Sequence, residues 1–83
     1  MENSNIKIYG TNWCSDCTRA KSFLDNHKIE YDWLNIELDN DLLKYVLELN
    51  DGKRIVPTIV FNDGSILVEP TNKQLAEKIG LAY

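Results

Sequence analysis

A single histidine, two cysteines and two prolines stand in this chain of 83 residues, and no apolar run approaches the length of a membrane span. Each shortage excludes something. Two cysteines are too few for the disulfide-stapled scaffold of a small secreted domain. One Cys-x-x-Cys supplies only two of the four ligands of a structural zinc site. No second pair exists and His27 stands apart, so one chain is not expected to build a metal centre. Positive charge is also short: 9 Lys and Arg face 13 Asp and Glu, for a net charge of −4. Only Lys53-Arg54 are adjacent, and phosphate backbones need a basic surface, so no nucleic-acid partner is expected. Met1-Glu2-Asn3-Ser4-Asn5 is polar and no apolar h-region follows, which predicts no signal peptide and a cytoplasmic location. There is no repeat, low-complexity tract or linker. The mixture of 43% hydrophobic and 27% charged residues is ordinary for a globular chain. A single domain over residues 1–83 is expected.

What is present is ordered by periodicity. Asn5 to Tyr9 has strand character, and Gly10 to Trp13 a loop. The spacing predicts a helix from Ser15 to about Asn26, with Cys17, Ala20, Phe23, Leu24 and His27 on one face and His27 as a packing or capping residue at its end. Ile29, Tyr31 and Trp33 alternate with Glu30 and Asp32 and continue into Leu34 and Ile36, which predicts a second strand. Asp39 or Asn40 can cap a helix from about Asp41 to Leu49, with Leu42, Leu43, Val46 and Leu49 as its apolar stripe and Asn50-Asp51-Gly52 as its stop. Thr58 to Phe61 is rich in β-branched residues. Asn62-Asp63-Gly64-Ser65 signals a tight turn into Ile66 to Val68. Thr71 and Gln74 form a capping box for a last helix ending at Gly80. The order β-α-β-α-β-β-α predicts an α/β domain: a right-handed parallel β-α-β unit, then a hairpin, in a four-stranded mixed sheet with helices on both faces.

Cys14-Ser15-Asp16-Cys17 falls where the first strand's loop becomes a helix. In that β-α-β context the motif reads as a redox dithiol. Free N–H groups and partial positive charge at a helix N-terminus stabilise a thiolate, the attacking species in disulfide exchange. Cys14, just before the helix, is the expected attacker. Cys17, one turn inside with Ala20 and Leu24, is the expected buried resolver, with the higher pKa. Asp16 between them either works against the nearby thiolate or, the favoured reading, is a favourable first-turn acid of the helix. Trp13 is either a flank to the attacking sulfur or a packing residue. Tyr9 either lines the site or packs in the core. Lys53 and Arg54 either steer an anionic thiol substrate or, as such residues more often are, stand solvated. Pro57, before a strand, reads as a strand-start or functional-turn proline. The non-catalytic alternative is a metal or cluster held between two chains by Cys14 and Cys17.

Trp13-Cys14-Ser15-Asp16-Cys17, with Arg19-Ala20-Lys21 and Leu24, resembles the redox helix of glutaredoxin-like proteins of the thioredoxin superfamily. Tyr31 through Glu37 resembles their second strand, and Arg54-Ile55-Val56-Pro57-Thr58-Ile59 the segment around their cis-proline. Phe61-Asn62-Asp63-Gly64-Ser65 followed by Pro70 is similar to the mycoredoxin and glutaredoxin-like branch. The resemblance covers nearly the whole chain. It implies a thioredoxin-like fold, Cys14 as nucleophile, Cys17 as resolving thiol and a cis Val56-Pro57 bond facing them. It further implies that the Val56 backbone pairs with a substrate peptide. Substrates would be disulfide-containing proteins or mixed disulfides, handled by a monomer without a metal or organic cofactor. Electrons would come from glutathione, another low-molecular-weight thiol, or thioredoxin reductase. A ribonucleotide-reductase type of redoxin is a further relative, although its C-terminal aromatic motif is absent. Thr11, Asn12 and Trp13 stand where glutathione-using members carry a lysine. Leu67-Val68-Glu69-Pro70-Thr71 replaces their Gly-Gly and aspartate, leaving Thr71 and its helix N–H groups to meet a carboxylate. These differences predict weak use of glutathione.

Overall fold

Ile6, Ile8 and Gly10 alternate with Lys7 and Tyr9, and this period of two gives the first strand, β1 (Ile6–Gly10), two distinct faces. In the computed structural model, which describes residues 6–81, one face packs under two helices and the other under one. The remaining elements are α1 (Ser15–Asn26), β2 (Asp32–Asn35), α2 (Asn40–Leu49), β3 (Thr58–Phe61), β4 (Ile66–Val68) and α3 (Asn72–Ile79). The sheet order is β2-β1-β3-β4. β1 and β2 are parallel, with Gly10 opposite Asn35, while β3 runs antiparallel to both β1 and β4. This is the expected four-stranded mixed sheet of a thioredoxin-like α/β domain.

Ile8, Ala20, Leu24, Ile59, Leu75 and Ala76 are wholly buried where α1 and α3 meet the sheet. Each fully buried Leu or Ile stabilises the fold by roughly 1.5–3 kcal/mol relative to exposure. Tyr9, Ile36 and Val46 form the core beneath α2. The hairpin follows its turn chemistry. Gly64 takes φ +87°, its N–H donates to Phe61 O at 2.9 Å, and the Asp63 carboxylate accepts from both the amide and the hydroxyl of Ser65. α3 begins with the reciprocal capping box of Thr71 and Gln74 and ends on Gly80 in the left-handed region.

Three details differ from the sequence reading, and the reading of His27 holds. Asn5 lies outside the described residues, and β1 extends through Gly10. β2 is confined to Asp32–Asn35, because the Ile29 N–H turns back to Leu24 O at 2.9 Å and closes the end of α1. His27 takes the capping and packing role read for it: it is the exposed C-cap of α1, with its ring 4.5 Å from that of Phe23. Of the predicted stripe on α2 only Val46 is fully buried, since that helix covers the sheet alone and its flanks stay open.

Candidate active site

The loop after β1 delivers Cys14 to the start of α1. Its extended backbone (φ −96°, ψ 111°) makes it the N-cap, and its sulfur does the work of a capping oxygen. The Cys17 N–H donates to Cys14 Sγ at 3.1 Å, and Cys14 Sγ in turn donates to Val56 O at 3.7 Å. The nucleophile candidate is half-buried and bracketed by a helix N–H and a carbonyl. The Val56-Pro57 peptide is cis, as the resemblance implied, and stands against the redox loop through that Val56 contact.

The segment carrying Val56 is pinned from below. Thr58 is fully buried, and its hydroxyl donates to Ile55 O at 2.7 Å while accepting from Asn50 Nδ2 at 3.1 Å. Asn50 Nδ2 also donates to Val46 O, so the end of α2 and the start of β3 share one polar knot. Buried hydroxyls and amides persist only when paired in this way.

Cys17 has no solvent exposure. Its sulfur sits over Gly10: a Cβ there would lie 2.5 Å from Cys17 Sγ and 2.9 Å from the ring edge of Trp33. The niche therefore exists because residue 10 has no side chain. Burial, with the neighbouring Cys14, pushes the Cys17 thiol up to about 12, while the Thr11 backbone amide and the Lys21 ammonium pull the other way. The sign of the pH effect follows. Between the ordinary thiol value of about 8.5 and the folded value, the unfolded chain loses the Cys17 proton and the native chain keeps it. The contribution of this group to stability is thus fully present below about pH 8.5 and is lost as pH rises toward 12. Alkylation with iodoacetamide at neutral pH, read by peptide mapping, is expected to label Cys14 and spare Cys17 until the chain is unfolded. Equal labelling of the two in the native chain would contradict this arrangement.

Asp16 is held aside. Arg19 reaches its carboxylate at 3.2 Å, and the same guanidinium donates to Pro70 O at 3.0 Å and Asn72 Oδ1 at 2.9 Å. One forked side chain thereby ties the first turn of α1 to the start of α3. Trp13, 85% exposed, flanks Cys14 in sequence and does not pack in the core. Leu38, 83% exposed, follows β2 at the same end of the parallel pair. Thr71 is exposed, its Oγ1 accepting from the Gln74 N–H and its own N–H donating to Gln74. Tyr9 faces away from the cysteines, buried in the α2 core with its ring 5.3 Å from Tyr45. Arg54 pairs with Glu37 at 3.4 Å on the surface.

The sequence reading missed Gly10 and Trp33 as parts of the site. A glycine closing a strand one loop before a Cys-x-x-Cys was the available signal, since glycine in a strand marks a close approach. Among the described residues, no three His, Cys, Asp or Glu side chains gather into a metal site, and no helix is long and apolar enough to cross a membrane.

The Glutaredoxin family model matches residues 6–66. Mycoredoxin 1 of Corynebacterium glutamicum is 37% identical over 76 residues, covering 92% of this chain and 94% of that one. A Mycobacterium tuberculosis protein described as a glutaredoxin is 37% identical over 79 residues, 95% of this chain and 94% of its own length. The glutaredoxin structure from Archaeoglobus fulgidus superposes with a TM-score of 0.74 at 21% identity, covering 92% of this chain and 86% of that one, and so shares the fold. With its cysteines set at the mouth of α1 and the family model spanning most of its length, this chain belongs to the glutaredoxin family, whose general activity is thiol–disulfide oxidoreduction.

Proposed function

We propose that the chain reduces protein disulfides, and mixed disulfides between proteins and low-molecular-weight thiols, through Cys14 and Cys17. The observation that carries this reading is the asymmetry of the pair. Cys14 Sγ is reachable and receives the Cys17 N–H, whereas Cys17 Sγ is sealed one turn inside the helix. The Cys14 thiolate attacks one sulfur of the substrate disulfide. A Cys14–S–S–R bond forms and the first thiolate leaves, taking up a proton. Cys17 then loses its proton and attacks Cys14 Sγ. The Cys14–Cys17 disulfide forms, the bond to R breaks, and the second thiol departs reduced. Two electrons pass from the dithiol to the substrate, and an external thiol donor restores the pair.

Val56, whose carbonyl lies against Cys14 Sγ, aligns the substrate backbone next to the cis Pro57. Trp13 offers an exposed apolar face beside the attacking sulfur. Thr71 has its oxygen engaged by Gln74, which leaves its hydroxyl hydrogen to donate to a carboxylate of a small thiol. The protein works as a cytoplasmic monomer with no resident cofactor. The likeness to mycoredoxin 1 over almost the full length supports a low-molecular-weight thiol as donor. The stretches at Thr11-Asn12-Trp13 and Leu67-Val68-Glu69-Pro70-Thr71 favour one other than glutathione.

A coupled reduction assay tests the donor. Glutathione with its reductase, thioredoxin reductase, and a panel of other low-molecular-weight thiols are supplied separately with one mixed-disulfide substrate. Turnover with glutathione is expected to fall below that with the best alternative thiol. Glutathione equal to the best donor would overturn the donor assignment, and no turnover with any donor would overturn the reading of the chain as a reductase.

A further inference from the structure

The reaction above needs Cys17 to lose its proton, yet its thiol is sealed from water, and that burial is the largest cause that raises its pKa. Near neutral pH only a minute fraction of such a thiol is ionised, so whatever favours its thiolate sets the rate of the second step. Among the described residues, no carboxylate or histidine is one of the groups that shift it. The groups that do are Cys14, the Thr11 backbone amide and one charged side chain, Lys21.

Lys21 lies four residues after Cys17 on α1, and positions i and i+4 share a helix face. The Lys21 side chain is half-buried. Its Nζ stands 3.8 Å from the centroid of the Trp33 ring. That same indole presents its six-membered edge to the niche above Gly10 where Cys17 Sγ sits. Trp33 therefore has two contacts at once: its face holds the ammonium and its edge walls the sulfur. An ammonium over an indole face is attracted by the ring quadrupole, by about 0.5–1 kcal/mol at exposed sites and more when desolvated. The indole also keeps water out of the space around the sulfur, where a charge acts more strongly than in solvent.

We infer that Lys21, docked on Trp33, is a positioning residue for the second half of the reaction: its ammonium favours the Cys17 thiolate that attacks the mixed disulfide on Cys14. The inference rests on Cys17 being the resolving thiol. Its bookkeeping is that of the second step: the proton leaves Cys17, the Cys14–Cys17 bond forms, and the departing thiolate takes up a proton. Lys21 forms and breaks no bond in this step.

The test separates the two steps. Lys21→Met keeps an unbranched apolar stem for packing on Trp33 and removes the charge, while Lys21→Arg keeps both the charge and the ring contact. Decay of the preformed Cys14 mixed disulfide is followed by stopped flow from pH 6 to 9, and attack by Cys14 is followed separately in a Cys17→Ser background. If Lys21→Met lowers the Cys17 thiolate fraction about tenfold, the greater nucleophilicity of a more basic thiolate recovers part of the loss, leaving resolution about threefold slower. The deficit should persist across this pH range, shrink at high salt and vanish in Lys21→Arg, while the attack rate stays unchanged. Equal resolution rates in Lys21→Met and the native chain, or an equal slowing in Lys21→Arg, would overturn the role of the charge. Failure of the Cys17→Ser chain to hold an adduct would instead overturn the assignment of Cys17 as resolver, so the two failures are distinct.

Discussion

Replacing Gly10 by alanine is expected to lower the melting temperature by about 10 °C and to impair release of the bound substrate thiol. The methyl group would lie 2.5 Å from Cys17 Sγ and 2.9 and 3.0 Å from two carbons of the Trp33 ring. None of the three can yield easily. The sulfur is fixed by the helix, and the indole is held between the niche and the Lys21 ammonium. Overpacking of this kind costs typically 1–3 kcal/mol. In a domain of this length each kcal/mol corresponds to roughly 4–8 °C. Gly10 has no left-handed φ, so the requirement is for space alone. A double-mutant cycle checks the cause: in a Cys17→Ala background the Gly10→Ala penalty should shrink, because one of its two obstacles is gone. An unchanged melting temperature in Gly10→Ala would mean that the sulfur is not confined as described.

Gly10 also marks where the sequence stopped being legible. The order of elements could be read because each rests on local chemistry. The Asp63-Gly64 turn, the Thr71/Gln74 box and the Cys17-Ala20-Phe23-Leu24 stripe declare themselves within a few residues and appear as expected. The dithiol was legible for the same reason, since its meaning lies in its position between a strand and a helix. The packing around it was not. Gly10, Lys21 and Trp33 come from a strand end, a helix and the neighbouring parallel strand, and their convergence depends on the register that sets Gly10 opposite Asn35. Period-two alternation placed Trp33 in a strand without saying that its ring would wall a cysteine. His27 was legible as a packing or capping residue because α1 ends there, and it caps the helix as read. Thr71 was legible as a cap and as a possible carboxylate contact, and the capping box takes up its oxygen and its amide.

The two cysteines should fail in different ways when each is replaced by serine. Cys14→Ser is expected to reduce disulfide exchange to the uncatalysed rate, because the remaining sulfur has no solvent exposure and its burial, the largest cause that holds it protonated, remains. A thiol that is both sealed and protonated is a poor attacker. Cys17→Ser removes nothing that the first attack needs. Its backbone N–H still reaches Cys14 Sγ, since that contact belongs to the main chain. The first step should therefore proceed, and the adduct should persist because no second sulfur stands one turn away to displace it.

Intact-mass spectrometry of the two serine variants, each mixed with a small symmetric disulfide, tests this division of labour most directly. The account predicts that Cys17→Ser gains the mass of one thiol substituent on Cys14 and keeps it, while Cys14→Ser stays at its own mass over the same time. A faster or greater adduct on Cys14→Ser would contradict it, and would make Cys17 the attacking thiol.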